Sequence, residues 1–197
     1  MLRRFPPVPF LLRLFPPFLF LAVLDSPAAA FVLEGGITRA STPGAFVKLQ
    51  PGTARAVGND TFQDPNLYAF DEDQNILLDR DIRVDLAPGR PLGGLIAKGT
   101  VVASHYVFFD PAGVSWQEGF VEFDAPILGV ATRIWTLQAT DFLANTKMTY
   151  LNPGLRGLEV EDRVWIDPEN PFRLNVDWLA WTPGDYIRVF TARSPGV

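Results

Sequence analysis

The chain contains no cysteine and a single histidine in 197 residues. The missing thiols exclude disulfide staples, thiol catalysis and thiolate metal centres, so stability has to come from packing. One histidine is too few for a centre built on several imidazoles. A nucleophilic triad is disfavoured as well, because no Gly-x-Ser-x-Gly elbow is present. That histidine, His105, lies inside the most apolar segment, between Ser104 and Tyr106. A hydrogen-bonded structural role is expected there. No phosphate loop occurs, since Gly93-Gly94 leads into a strand-like run with no Gly-Lys-Thr behind it. Runs of Lys or Arg are absent too. With 17 Lys+Arg against 22 Asp+Glu, the net charge is −5. An acidic chain repels phosphate backbones, which argues against nucleic acid and anionic membrane surfaces as partners. No repeat with a period of 20–50 residues is visible, which disfavours propellers and solenoids.

Long apolar runs are scarce. The longest candidate, Phe15 to Leu24, is interrupted by Pro16 and Pro17, leaving only Phe18 to Leu24 unbroken. A spanning helix needs about 20 consecutive apolar residues, and interior prolines oppose helix formation. The segment instead has the order of a cleavable export signal. Arg3 and Arg4 form a positive start, an apolar stretch follows, and Pro27 precedes the small residues Ala28-Ala29-Ala30. Residues 1–30 are therefore expected to be a signal peptide. The mature chain, 31–197, would be secreted or periplasmic, with no membrane insertion after cleavage. It would lose Arg3, Arg4, Arg13 and Asp25 and carry a net charge of −7. Its length suits one domain with a substantial core.

Glycine and proline, 16 and 18 in number, punctuate the rest at short intervals. Between them lie runs rich in Val, Ile, Phe, Tyr, Trp and Thr, the pattern of an all-β protein. Strands are predicted near 31–34, 45–50, 67–71, 76–78, 81–86, 95–109, 116–124, 127–135, 162–166, 172–180 and 185–192. Turn signals such as Pro51-Gly52, Pro88-Gly89, Asn152-Pro153-Gly154 and Thr182-Pro183-Gly184-Asp185 separate most of them. Both parities are apolar over Val101–Phe109, which predicts a strand covered on both faces. Over 172–178 one parity is apolar and the other is Arg173, Asn175 and Asp177, predicting a sheet with one wet face. One short helix is predicted over Leu137 to Asn145, with Thr140 as a cap. The expected fold is a jelly-roll-like antiparallel β-sandwich with one short helix, in which residues 31–65 contribute an N-terminal arm.

Three groups of residues could carry function. The acidic loop Asp71, Asp73 and Asn75 matches the first three positions of an EF-hand loop. Ile76 and Ile82 then occupy the positions that need Gly and Glu, so the motif fails beyond that point. A non-EF structural calcium at Asp71, Asp73 and Asn75 and a solvated hairpin turn are the two readings of this loop. Carboxylates that could pair for glycoside hydrolysis are numerous (Glu118, Glu122, Asp124, Glu159, Glu161, Asp162, Asp167), and spacing singles out none of them. The aromatic signal is more specific. Alternation places Trp116 with Glu118 and Glu122, Trp135 with Arg133, and Trp165 with Arg163, whereas Trp178 aligns with the core. Exposed indoles stack on sugar rings or anchor protein partners, so Trp116, Trp135 and Trp165 form a candidate binding surface. Burial beneath loops is the structural alternative.

Several phrases together resemble a known group: Phe70-Asp71-Glu72; Ser104-His105-Tyr106-Val107-Phe108-Phe109-Asp110-Pro111; Phe120-Val121-Glu122-Phe123-Asp124-Ala125-Pro126-Ile127-Leu128-Gly129-Val130; and Thr182-Pro183-Gly184-Asp185-Tyr186-Ile187-Arg188-Val189. They resemble exported bacterial β-sandwich proteins of the PEP-CTERM, exosortase-associated type over roughly residues 60 to 193. The group offers no catalytic residues to carry over. The chain departs from it in having no Pro-Glu-Pro, no C-terminal apolar span and no basic end after Arg193. That resemblance implies release rather than sorting to the envelope. The leading expectation is a non-catalytic, exported module without a cofactor that binds extracellular polysaccharide or an envelope or matrix protein. A polysaccharide-active hydrolase or lyase and a self-associating structural protein are the alternatives.

Overall fold

Two strands with strict alternation define the inner face of one sheet. In Ser115–Phe123 and Arg173–Ala180 every second residue is buried, and the residues between them remain accessible. The computed structural model describes residues 31–50 and 56–193. Residues 1–30, expected from the sequence to be a signal peptide, and the Pro51-Gly52 turn signal lie outside the described residues. Fourteen strands follow in chain order: β1 (Val32–Ala40), β2 (Phe46–Lys48), β3 (Ala56–Val57), β4 (Leu67–Asp71), β5 (Ile76–Leu77), β6 (Ile82–Val84), β7 (Gly94–Ile96), β8 (Val101–Phe109), β9 (Ser115–Phe123), β10 (Ile127–Ala131), β11 (Thr149–Tyr150), β12 (Arg163–Ile166), β13 (Arg173–Ala180) and β14 (Asp185–Ala192). A single α-helix, α1 (Ile134–Ala139), and two 3-10 turns complete the set among the described residues. None of these helices is long and apolar enough to cross a membrane.

The strands form an all-β, jelly-roll-like sandwich. One sheet has the order β1-β9-β13-β12, and the facing sheet has the order β10-β14-β8-β4-β2 with β5 added on β8. Pairing within both is antiparallel except for β2 with β4. The chain crosses between the sheets from β1 to β2, β8 to β9, β9 to β10, β10 to β12 and β13 to β14. Between the sheets lie Val107, Phe109, Val121, Phe123, Leu174, Val176, Trp178, Ile187 and Val189, all buried. The Trp178 indole stacks on Phe109 with ring centroids 6.3 Å apart.

The larger sheet is covered on its other face as well. Val102, Tyr106, Phe108, Tyr186 and Phe190 point away from the sandwich interior into a second core. That core is roofed by the β6–β7 hairpin, the short parallel pair β3–β11, α1 and the 3-10 turns. Its interior is aromatic: Tyr68 stacks on Phe108 at 4.9 Å, and Tyr106 meets Tyr150 edge-on at 5.2 Å. Such ring pairs add about 0.5–1.5 kcal/mol each beyond burial. The two-sided burial expected for Val101–Phe109 is therefore observed.

Three local expectations are revised. The predicted strand 127–135 stops at Ala131, and Trp135 lies on α1 instead. The cause is Asp85, whose carboxylate accepts the Thr132 and Arg133 amides at 2.8 and 3.0 Å and the Thr136 hydroxyl. This anion at the helix start draws α1 forward to Ile134. The predicted strand 95–109 is split by a turn at Lys98-Gly99, which frees β7 to pair with β6. Residues 32–40 form no capping arm. They are an edge strand of the smaller sheet, extending the strand expected at 31–34, and Gly35-Gly36 gives room to the Phe46 and Phe120 rings.

Truncation on either side of β8 tests the double burial. Phe108→Ala and Phe109→Ala, facing different cores, are each expected to lose about 3–5 kcal/mol in denaturant unfolding. A strand with one wet face would show that loss for one of the two only.

Candidate functional site

The accessible face of the smaller sheet carries two of the three candidate tryptophans. Strand register aligns Trp165 of β12 with Asn175 of β13 and Phe120 of β9. Trp116 lies on the same face, opposite Leu179, two strands away and four residues along. Ion pairs cover much of the ground between them. Arg173 donates to Glu122 at 2.6 Å with its guanidinium 4.3 Å from the Phe120 ring, and Arg39 pairs with Glu118 at 2.8 Å while lying 5.7 Å from the Trp116 ring. Trp135 is not part of this face. It sits on α1 in the layer roofing the larger sheet, 61 % exposed, with the Arg133 guanidinium 5.5 Å from its ring.

Trp165 stands apart because of where β12 runs. This strand is the open edge of the smaller sheet, and its inward residues Val164 and Ile166 pack on the main core. Its outward indole, 43 % exposed, lines two adjoining clefts. The first, of about 580 Å³, runs between β12 and the Leu86–Leu92 connection and reaches Arg133, Glu159, Asp162 and Arg163. The second, of about 490 Å³, continues past Trp165 to Arg90, Asp167, Pro168 and Pro171. A groove with an indole at its midpoint and exposed Arg90, Arg133 and Arg163 on its rim results.

The acidic loop has a different role from that of a simple turn. Asp71 ends β4 and is almost wholly buried. Its Oδ1 accepts the Val32 amide at 2.8 Å and faces His105 Nδ1 at 2.9 Å, and its Oδ2 lies 3.0 Å from Lys48 Nζ. Burial pushes this carboxyl up, but His105, the Val32 amide and Lys48 outweigh it and hold it below the ordinary carboxylate range. Its oxygens are thus engaged by nitrogen groups. Asp73 faces an adjacent cleft of about 400 Å³ that also contains Lys48, Glu72 and Lys147, and Asn75 occupies the turn with φ +56°.

On its other side, His105 Nε2 meets Thr191 Oγ1 at 3.1 Å. Asp71, His105 and Thr191 thus have the order of a nucleophilic triad. His105 and Thr191 are both completely buried and line none of the surface clefts described here. The arrangement ties β4, β8 and β14 together and offers no surface to a substrate.

Beside it lies a second buried network. Arg188 of β14 is fully enclosed and binds Glu72 through two nitrogens, Nε at 2.6 Å and Nη2 at 3.0 Å. Glu72 also accepts the Ser104 hydroxyl at 2.6 Å and the Tyr150 hydroxyl at 2.5 Å. The remaining Arg188 nitrogen reaches Leu137 O, Thr140 Oγ1 and Asp141 Oδ1 at 3.0–3.1 Å. Asp141 in turn accepts from Nη1 and Nη2 of Arg156 at 2.8 Å each. Sequence reasoning missed this cluster because Glu72 and Arg188 are 116 residues apart. The available signal was a lone arginine in the apolar run Tyr186-Ile187-Arg188-Val189-Phe190.

Among the described residues, one trio of carboxylates converges: Glu159, Asp162 and Asp185, with ligand-capable oxygens within 4.8 Å of one another. Burial, with the nearby Glu159 charge, pushes Asp162 up to about 6 against the Leu179 and Glu159 amides. Burial and the charges of Asp162 and Glu159 push Asp185 up to about 10. Two of these residues belong to the carboxylates noted in the sequence. Asp185 was read only as a turn residue.

Two outcomes follow from the buried ion pairs. Stability supplied by Asp71 is fully present above its unfolded pKa of about 4 and is lost as pH falls through the lowered folded value. Asp71→Asn should cost about 3 kcal/mol near neutrality and flatten the acid limb of the stability–pH curve, as read by urea unfolding. For the second network, Arg188→Met should cost about 3–5 kcal/mol by leaving Glu72 buried and unpaired. Adding Glu72→Gln should recover part of that loss in a double-mutant cycle. Comparison of the chain with protein-family models, with curated proteins and with solved structures returns no match.

Proposed function

We propose that this protein is an exported, non-catalytic binding module that holds an extracellular polysaccharide or matrix polymer along the open β12 edge of the sandwich. The observation that carries the reading is Trp165, an accessible indole at the junction of two clefts that together form an extended groove. A sugar ring offers an apolar face that stacks on an indole, and a polymer needs a groove longer than one residue. The rim adds a preference. Arg90, Arg133 and Arg163 are exposed beside the groove in a chain whose net charge is −5. Guanidinium groups recognise carboxylate or sulfate in a planar, two-pronged geometry, so acidic polysaccharides fit better than neutral ones. Export rests on the residues 1–30 signal pattern.

The groove's carboxylates favour binding over hydrolysis. The Glu159 and Asp162 carboxylates have oxygens within 4.8 Å of each other, and Asp162 is turned toward the backbone, accepting the Glu159 and Leu179 amides. Glycoside hydrolysis uses two carboxylates facing each other across the bond, about 5–9.5 Å apart.

Affinity electrophoresis through neutral and uronate-bearing polysaccharides tests the reading. Wild type should be retarded by at least one acidic polymer, and Trp165→Ala should weaken the interaction about tenfold, equivalent to about 1.4 kcal/mol. Trp135→Ala should retain it. Absence of retardation by every polymer, or full retention by Trp165→Ala, would overturn the proposal.

A further inference from the structure

The trio Glu159, Asp162 and Asp185 is built by backbone that side-chain-bearing residues adopt poorly. Gly184, with φ +90°, precedes Asp185, and a Cβ there would stand 2.6 Å from the Phe109 carbonyl oxygen. Gly157, with φ +117°, comes two residues before Glu159, and its Cβ would stand 2.9 Å from the Thr132 carbonyl oxygen. Gly157 also bridges Tyr186, which brings the 157–162 segment against the start of β14. Asp162 is fixed in turn: Oδ1 accepts the Leu179 amide at 2.8 Å and Oδ2 the Glu159 amide at 2.7 Å.

Asp185 is the anomaly in this cluster. It is 1 % exposed, no amide, hydroxyl or cationic group among the described residues meets either of its carboxylate oxygens, and the group against it is the Glu159 carboxyl. Elsewhere in the fold, buried carboxylates are met by arginine, lysine, histidine or backbone amides, as Glu72 and Asp71 are. Here, among the described residues, no cationic side chain is paired with the carboxylate. What faces Asp185 is two further carboxylates, with an oxygen of each within 4.8 Å. A buried, unpaired carboxylate aimed at two others is costly unless a cation or protons occupy the space between them. Hard carboxylate oxygens at this separation suit a hard divalent ion, and a flexible oxygen set that includes an exposed residue such as Glu159 suits calcium better than magnesium.

We infer that Glu159, Asp162 and Asp185 bind a calcium ion that clamps the segment leading into β12 to the first residue of β14, joining the two sheets at one end of the sandwich. Glu159 and Asp162 each supply an oxygen from the segment leading into β12, and Asp185 supplies one from the start of β14. Asp162 keeps its amide bonds, because each carboxylate oxygen has a second lone pair for the ion. The remaining coordination comes from water at the adjoining cleft. The inference does not depend on the groove's occupant, since calcium alone is the probe, although Glu159 and Asp162 also line the first cleft.

Thermal unfolding of the purified full chain, treated with chelator and then titrated with calcium chloride alone, tests it. The expected result is a rise in Tm of about 5 °C or more at millimolar calcium. Both Asp185→Asn and Glu159→Gln should abolish the rise, and Glu169→Gln, outside the trio, should keep it. Asp185→Asn in chelator should melt about as wild type does, because without the ion the raised Asp185 carboxyl is protonated near neutral pH and the amide replaces a neutral group. Glu159 is exposed, so its variant carries the test if the Asp185 variant does not fold. A wild-type Tm unmoved by calcium, or a full rise in Glu159→Gln, would overturn the inference.

Discussion

The fold depends on how a guanidinium can be enclosed at the centre of a sheet. Arg188 lies mid-strand in β14, which pairs with β10 on one side and β8 on the other. An arginine with no access to water is tolerable only if its donors are met and its charge is opposed. Glu72 opposes it with two oxygens, and the Leu137 carbonyl at the end of α1 receives another of its N–H groups. A cation at a helix C-terminus is favourable, so the charge that threatens the sheet also fixes the helix above it. The partners come from β14, the residue after β4, the α1 end and the Tyr150 strand. Four distant parts of the chain are held in register by one charge.

This explains why the larger sheet has a roof at all. In a simple two-sheet sandwich, the outer face of each sheet would be wet, as it is over β9 and β13. Here the outer face of the larger sheet bears Tyr106, Phe108, Tyr186 and Phe190 together with Arg188, and neither the rings nor the ion pair would be stable against water. Short elements with little independent stability cover them: a six-residue helix, a two-residue parallel pair and a small hairpin. Their burial stabilises them, and they in turn shield the network. The site-like features therefore lie where the roof ends, along the uncovered β12 edge and at the β13–β14 corner.

The sequence made the strands legible and left their company obscure. β4, β8, β13 and β14 read clearly because Val, Ile, Phe and Tyr follow a two-residue period or fill both parities between turn signals. Trp178 as core and Trp165 as outward followed from the same alternation. Trp135 did not, because one side chain, Asp85, stops β10 and starts α1 from 47 residues away. Only the first residues of β1, 31–34, were legible as a strand, and the small size of Gly35-Gly36 beyond them matters only once Phe46 and Phe120 are placed against it. The pairing of Glu72 with Arg188 has no local signature whatever. Period and turn chemistry are short-range properties, whereas charge compensation is set by topology.

The same contrast separates the two buried acidic centres. Around Asp71 and Glu72, every anionic oxygen meets a donor from within the chain: His105, Lys48, Arg188, Ser104, Tyr150 and the Val32 amide. The chain satisfies this region alone, and nothing from outside is needed to hold it. At Asp185 the chain supplies only more negative charge. Glycines at 157 and 184 let the backbone approach closely enough to bring three carboxylates together, a placement that raises electrostatic repulsion and lowers no other cost evident in the packing. A region that assembles like charges with backbone few residues can adopt, at a corner joining two sheets, makes physical sense as a socket for a cation. The clamp it forms lies beside the β12 edge, so the strand that carries Trp165 would be steadied by the ion at its leading end.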